Sequence, residues 1–431
     1  MKKNEYQYIL EISILAIALI LSVIGIMSVY SAGSYIAAVV KKDPFYYVQR
    51  QTIFVFISLI LSVIILKIKY KYFIDYKLIR QISVGMGIVL ILMLIFVDPT
   101  NGARSWINLG MFSLQPLEFA KIILVWNTAF YFSETRYLDP FPIQNNPTFM
   151  QKIWGTYHPE VTLGLVYVGI LIPVLLQPDT GGFAIMAATI GLMWLSSGLF
   201  EWKKAIKWLI GIVSTGYIGL FLLGNLFGGS DYRIRRILVF LNPFSVSPDD
   251  SRQIRNSFFA LARGGLTGVG LGNSVQKTGY LPEFHTDFIL SIIGEELGII
   301  GIILVLFLLF LLVYLIFKRS MSVKRTFDRY ILLGISLIFL IQIFLNVAGV
   351  TSLAPLTGVT LPFISYGGSS MLISFMCIGI VLKISLHDKR QHLDDEVSSK
   401  RKTEPIKRRR MSLDKQTGGA TFENNTKNIS R

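Results

Sequence analysis

The sequence predicts an all-α, polytopic membrane protein with about ten transmembrane helices, and three observations carry that prediction. Of its 431 residues, 52% are hydrophobic and only 16% charged, with a mean hydropathy of +0.56, which is too apolar for a soluble domain of this length. Apolar stretches long enough to cross a bilayer core of roughly 30 Å recur along the chain. These stretches are continuous rather than alternating, so helices are favoured over a β-barrel, the other structure that satisfies every backbone polar group in lipid.

The spans are predicted at about 9–30, 50–66, 81–97, 118–133, 160–177, 180–200, 205–223, 287–317, 330–350 and 367–386. The first follows Met1-Lys2-Lys3, runs longer than a signal-peptide core and lacks a small-residue cleavage pattern, so it is read as retained. Gln177, Pro178, Asp179, Thr180 and Gly181 make a tight turn between the fifth and sixth. The connections at 67–80 (Lys67, Lys69, Lys71, Lys77, Arg80) and 318–329 (Lys318, Arg319, Lys324, Arg325, Arg329) are basic and should be cytoplasmic. That parity puts both termini inside and a long extracellular loop, 224–286, between helices 7 and 8. The membrane domain covers 1–388. The polar tail 389–431, with Lys407-Arg408-Arg409-Arg410, is expected to be disordered and either to rest on anionic lipid or a cytoplasmic partner or to be solvated.

The net charge of +16 resides mainly in those connections and the tail, where topology already explains it, so no nucleic-acid partner is expected. The single cysteine, Cys377, excludes an intrachain disulfide and any cysteine-cluster metal site.

Three stretches carry polar chemistry. The 224–286 loop holds Arg233, Arg235, Arg236, Arg252, Arg255, Arg263 and Lys277 against Asp231, Asp249, Asp250 and Glu283. Such a balance suits phosphate, pyrophosphate or a lipid headgroup, or equally a solvated loop at the headgroup level. The run GGLTGVGLG at 264–272 permits positive φ and close backbone approach, as an anion-binding loop or a plain glycine-rich turn requires. LPEFHTDFIL, 281–290, then sets Glu283, His285 and Asp287 at the mouth of the eighth span. An ionisable residue there faces water or a partner, or caps its helix. If the helix is continuous from Asp287, Glu295 lies about 80° around it and about 12 Å along it, a polar stripe into the bundle.

The second stretch runs through Asn101, Gly102, Ala103, Arg104, Ser105 and Trp106 to Gln115-Pro116-Leu117-Glu118, with Glu118 and Lys121 spaced to pair on one helix face. The third, NVAGVTSLAPLTGVTLPFISYGGSSML at 346–372, includes Pro355, Pro362 and Ser369. Its irregular backbone is expected to be a re-entrant wall buried in protein.

Together NGARSWI with QPLEFAK, SFFALARGGLTGVGLGNSVQKTGYLPEFHTDFILSIIGEELG and NVAGVTSLAPLTGVTLPFISYGGSSM resemble, in order, the three signature regions of the FtsW/RodA (SEDS) family. The resemblance implies the SEDS fold and a peptidoglycan glycosyltransferase of the bacterial plasma membrane. Such an enzyme polymerises lipid II (the undecaprenyl-pyrophosphate-linked disaccharide peptide) into β-1,4 glycan with a class B penicillin-binding protein as partner. Asp287 matches the family's essential Asp, Glu118 and Lys121 its QPxExxK motif, and Lys277 its glycine-flanked Lys. Ser105 stands where many relatives carry a basic or bulky residue, which leaves the part of Arg104 open.

In the reaction so implied Asp287 is the general base, with Glu283 and His285 as neighbours that tune it. Arg233, Arg236 and Lys277 offset pyrophosphate charge, and Arg104, Glu118, Lys121 and Ser369 are further substrate-binding candidates. The chemistry admits a divalent cation (Mg or Mn), although no residue cluster has a diagnostic metal spacing. The competing readings are a transporter that flips the lipid precursor, a scaffold of the division machinery, and the RodA-type elongation paralogue. VYSAGS at 29–34 and the basic tail lean towards the division member, with a septal location and other divisome partners.

Overall fold

The computed structural model describes residues 2–99, 104–108, 110, 112–134, 159–198, 207 and 238–391. The helices are α1 (Lys2–Ile36, continued by a π-helical turn Ala37–Lys41), α2 (Tyr46–Lys67), α3 (Tyr76–Phe96), α4 (Pro116–Glu134), α5 (Pro159–Leu176), α6 (Thr180–Ser196), α7 (Pro248–Gly264), α8 (Ile289–Ser322), α9 (Thr326–Val350) and α10 (Gly368–Gln391). A minimal antiparallel pair, β1 (Ile107–Asn108) and β2 (Ser113–Leu114), precedes α4. Nine of the ten predicted spans are therefore helices. The seventh, 205–223, lies outside the described residues apart from Lys207, as do Arg233, Arg235, Arg236 and the tail beyond Gln391. Residue contacts separate Met1–Lys383 from Ile384–Arg431, and the three polar stretches all lie in the former.

The first residues of each helix explain where it starts. Asp75 caps α3 by accepting from the Lys77 and Leu78 amides at 3.0 and 3.4 Å. Asp179 caps α6 through Gly182 at 2.9 Å, and Ser247 caps α7 with Pro248 behind it. α1, α2, α3, α8, α9 and α10 are each long and apolar enough to cross a membrane. α5 and α6 are shorter, and α4 carries Glu118 and Lys121 on a surface that its neighbours bury. Leu90, Met93, Leu117, Leu124, Ile170, Val174 and Met186 lock α3 to α6 into one apolar cluster. Val23, Phe56, Ile95, Ile300 and Phe307 point outward with more than half their surface exposed, as a lipid-facing helix surface does. The chain is thus a multi-pass membrane protein.

Two expectations change. The segment 224–286 is not wholly a loop, because α7 forms within it. α8 is not one straight span over 287–317: it starts at Ile289, after Asp287, and breaks at Gly298, whose φ of 69° and ψ of −168° no helix contains. A break at membrane depth strands backbone groups that lipid cannot satisfy. Here the glycine-rich run satisfies them. Val269 and Gly270 amides donate to the Glu295 and Glu296 carbonyls at 3.0 Å each, while Ile299 and Ile300 amides donate to the Gly265 and Leu266 carbonyls at 3.0 and 3.3 Å. These replace the bonds that residues 299 and 300 would have made to 295 and 296 in an unbroken helix.

A β-carbon at Gly298 would run into the Leu266 carbonyl and the Gly268 amide, and one at Gly268 (φ 80°) into the Glu296 carbonyl. Gly298→Ala therefore has both a strained φ and a backbone collision, and it is expected to lower stability by about 3 kcal/mol. Thermal unfolding of the detergent-solubilised protein checks this; an unchanged midpoint would contradict the spliced break.

Candidate functional site

The site assembles around residues 283–287, a turn rather than a helix. Amides of Thr286 and Phe288 both donate to the Glu283 carbonyl at 3.2 Å, with Glu283 at a φ of 51°. Three consecutive carbonyls are then held by the third signature stretch. His285 O accepts from the Tyr366 amide at 2.9 Å, Thr286 O from Ser365 Oγ at 2.7 Å, and Asp287 O from Asn346 Nδ2 at 2.9 Å. Asn346 is shared with the Val359 carbonyl at 2.7 Å, and Ser365 Oγ also accepts from the Leu361 amide at 2.8 Å. The segment between α9 and α10 is the buried irregular wall that the sequence predicts: Leu361, Phe363, Ile364 and Ser365 are nearly inaccessible, and α1 leans on it where Gly25 meets the Phe363 carbonyl.

The backbone of His285, Thr286 and Asp287 is thus fixed through its carbonyls while the Asp287 carboxylate is directed along the wall. Its Oδ2 stands 3.4 Å from the position of a β-carbon at Gly358, and the residue is half-buried. Phe288 is the residue before α8 and makes no side-chain cap.

His285 packs among rings: Tyr47 at 4.6 Å, Phe284 at 4.9 Å and Tyr366 at 5.4 Å between centroids. Burial holds its imidazole below the usual histidine pKa, against the opposing pull of the Glu283 carboxylate. Its Nδ1 is buried without a hydrogen-bond partner among the described residues. Glu283 itself is exposed and accepts from Thr286 Oγ1 at 2.9 Å. Burial likewise raises the Tyr366 phenol, with the Arg50 guanidinium pulling the other way.

The carboxylates of α8 have different partners from those a continuous stripe implies. Because Asp287 precedes the helix, no helical stripe links it to Glu295. Glu295, fully buried, accepts from Arg263 Nη1 at 2.9 Å, from Ser274 Oγ, and from the Val275 and Gln276 amides at 3.0 and 3.3 Å. Glu296 pairs with Lys277 Nζ at 2.8 Å and accepts from Ser31 Oγ at 2.6 Å. Arg252 donates to the Gly279 and Tyr280 carbonyls at 2.5 and 3.0 Å, and Arg255 lies over the Phe244 ring. The described cations of this region therefore serve its own architecture, a use that a count of charges along the sequence does not reveal. The glycine-run amides of Val269 and Gly270 serve the broken helix rather than an anion.

The second stretch reaches the same wall from another side. Glu118 and Lys121 form a buried ion pair at 2.8 Å. Just before them, the Gln115 amide donates to Ser369 Oγ at 2.9 Å, and Gln115 Nε2 to Asp179 Oδ2 at 3.0 Å. Gly181 packs on the Thr357 carbonyl and Gly182 against Leu117, so α4, α6 and the 351–367 segment are keyed together. Arg104 caps the end of α3 through the Leu94 carbonyl, and its amide donates to the Gln177 carbonyl at 3.3 Å. Among the described residues no group of three His, Cys, Asp or Glu side chains converges to hold a metal ion.

Sequence reasoning missed Tyr47, Arg50 and Ser31, and it did not single out Asn346 or Tyr366 within the third stretch. The cluster Phe45-Tyr46-Tyr47 with Arg50, at the start of a span, is the signal that was available for two of them.

A family model described as "Cell cycle protein", covering FtsW, RodA and SpoVE, matches residues 11–390. "Probable peptidoglycan glycosyltransferase FtsW" of Lactococcus lactis is 37% identical over 92% of this chain and 96% of its own, and that of Wigglesworthia glossinidia brevipalpis 36% identical over 84% and 90%. "Stage V sporulation protein E" of Bacillus subtilis is 34% identical over 88% and 98%. Among solved structures, a chain from a peptidoglycan synthase complex described for its coordination of polymerization and crosslinking superposes with a TM-score of 0.63, at 23% identity, over 87% of this chain and 97% of that one. The rod shape determining protein RodA of Thermus thermophilus superposes with a TM-score of 0.58, at 23% identity, over 87% and 96%.

Two outcomes follow from the geometry. Lys121→Met leaves the Glu118 carboxylate buried and uncompensated and is expected to cost about 3 kcal/mol, most of which Glu118→Gln should restore in the double variant. A double-mutant cycle on chemical unfolding measures it. Because His285 is held below its unfolded value, the unfolded chain takes up a proton that the folded one refuses. Stability should therefore decline as pH falls from about 6.5 towards the lowered folded value, and His285→Gln should flatten that part of the curve.

Proposed function

The chain belongs to the cell cycle protein family of FtsW, RodA and SpoVE, and on that premise we propose that it is a peptidoglycan glycosyltransferase that polymerises lipid II, acting at the division septum. The names of the FtsW relatives support the activity and the division role over the elongation one. The observation that carries the catalytic assignment is the clamp on 285–287: three carbonyls are fixed, and a carboxylate is set against a glycine of the re-entrant wall.

In the reaction, the hydroxyl of an acceptor sugar attacks the anomeric carbon of a sugar linked to lipid pyrophosphate. A new C–O bond forms on one face, the bond to the pyrophosphate oxygen breaks on the other, and configuration inverts to β. Asp287 takes the hydroxyl proton, and the pyrophosphate leaves with the electron pair. A rigid backbone is what general base catalysis needs here, since small displacements of the reacting groups are costly. His285, neutral and ring-packed, holds the turn in shape from one side, and Asn346 from the other. Glu118 and Lys121 support the wall from α4, and Ser369 ties α10 to the start of that helix. Lys277 acts within its ion pair, and Arg233 and Arg236 are the remaining candidates to face the pyrophosphate. A class B penicillin-binding protein that crosslinks the emerging strand is the expected partner. The basic connections support a cytoplasmic position for both termini.

Asp287→Asn keeps the shape of the side chain and removes its basicity. It is expected to bind lipid II as the native protein does and to lower polymerisation by about 10²- to 10⁴-fold, read by glycan-strand electrophoresis with the cognate partner present. Polymerisation at the native rate would overturn the assignment of the base.

A further inference from the structure

Away from Asp287, a cavity of about 830 Å³ lies between the end of α1 and the glycine-rich loop, with Tyr30, Ser31, Tyr35, Asn273 and Lys277 among its lining. A narrower slot of about 160 Å³ is walled by α1 (Ile24, Ser28) and by α8 on both sides of its break (Ile293, Leu297, Leu304). Met27 and Leu271 line both spaces, so the two adjoin. The chemistry changes along this path. The upper chamber holds hydroxyls, an amide and the paired Lys277 ammonium. The slot is apolar except for Ser28 and the Glu296 carboxylate at its top, and that carboxylate is already satisfied by Lys277 and Ser31.

The direction of the path also matters. The slot follows α8 from Ile292 to Val305, on both sides of the break at Gly298. Met27, Leu271 and Leu304 each leave more than half their surface exposed, so the slot has an open lateral side. A chamber whose wall carries a few polar groups, adjoining an apolar slot with a laterally exposed side, fits an amphiphile that enters from the bilayer with its head at the surface.

We propose that this composite cavity is the seat of the polyisoprenoid chain of the lipid-linked substrate: the first prenyl units thread the slot between α1 and the break in α8, and the adjoining chamber beside Ser31 leads from them towards the headgroup. This rests on the polymerase reading above and adds to it the place where the chain is held. It also assigns the break at Gly298 a role, since the slot is walled on both sides of it.

The test compares lipid II with its natural long chain and an analogue bearing a three-unit chain, using the full-length protein with its partner. Ser28→Phe fills the slot, Leu304→Trp narrows it lower down, and Val23→Phe, on the exposed face of α1, serves as the control. Both slot variants should raise KM for the long-chain substrate about tenfold, as withdrawing roughly two methylene groups from an apolar site does, with kcat and the short-chain KM unchanged. Equal effects on both substrates, or none in variants that melt as the native protein does, would overturn the proposal. Wild-type protein that polymerises neither substrate would instead indict the polymerase reading. Independently of any variant, a diazirine on the second prenyl unit should label residues 24–28 and 297–305 of the native protein; labelling confined to other helices would refute the seat.

Discussion

The break in α8 at Gly298 is the constraint on which the rest of this structure depends. A membrane helix cannot stop and restart without stranding amides and carbonyls in a medium that offers them nothing. Residues 265–270 supply both sides of the missing bonds, accepting from 299 and 300 and donating to 295 and 296. Because the repair is made by backbone, it needs backbones in contact, which explains the glycines at 264, 268 and 298 in chemical terms: side chains there would stand inside the opposing chain. α7 and the loop after it are thereby stitched to α8, and the turn that carries Asp287 begins from a fixed point.

Two carboxylates at consecutive positions then use the break in different ways. Glu295 turns towards Arg263 and the amides of 275 and 276, and Glu296 towards Lys277 and Ser31. An isolated carboxylate at such depth would be costly, and removing either cation would leave one behind. The pairs therefore hold the loop to α8 and to α1 more through the penalty of separation than through the attraction itself. The same logic applies to Glu118 and Lys121 on α4. Fixed charge pairs frame a site whose working carboxylate, Asp287, is only half-buried, as a group that must meet a substrate has to be.

Much of this was legible in the sequence. Hydropathy located nine of the described helices, all but α1 to within five residues at either end, because a span must be apolar over a length set by the bilayer. The turn at 177–181 and the irregular wall at 351–367 were marked by proline and glycine. Asp287, Glu118 and Lys121 stood out because charge is rare in such surroundings. What failed to show was partnership. Arg252, Arg263 and Lys277 read as a cationic surface, yet they are occupied by carbonyls and carboxylates from 19 to 32 residues away. The helical-wheel stripe through Asp287 and Glu295 failed for a related reason: it assumed a helix that begins two residues later and breaks nine residues after that.

The sequence by itself determined the membrane spans, the three polar stretches and their order, because each of these follows from local composition. Tertiary structure alone decided that the third stretch grips the backbone of 285–287, that Tyr47 and Arg50 of α2 stand beside it, and that a cavity opens between α1 and the broken helix. The physical reason is that hydropathy is a property of a residue and its neighbours in the chain. A hydrogen bond between Asn346 and Asp287, or a close approach of Gly268 to Glu296, depends on packing between segments far apart in sequence, and no local pattern encodes it.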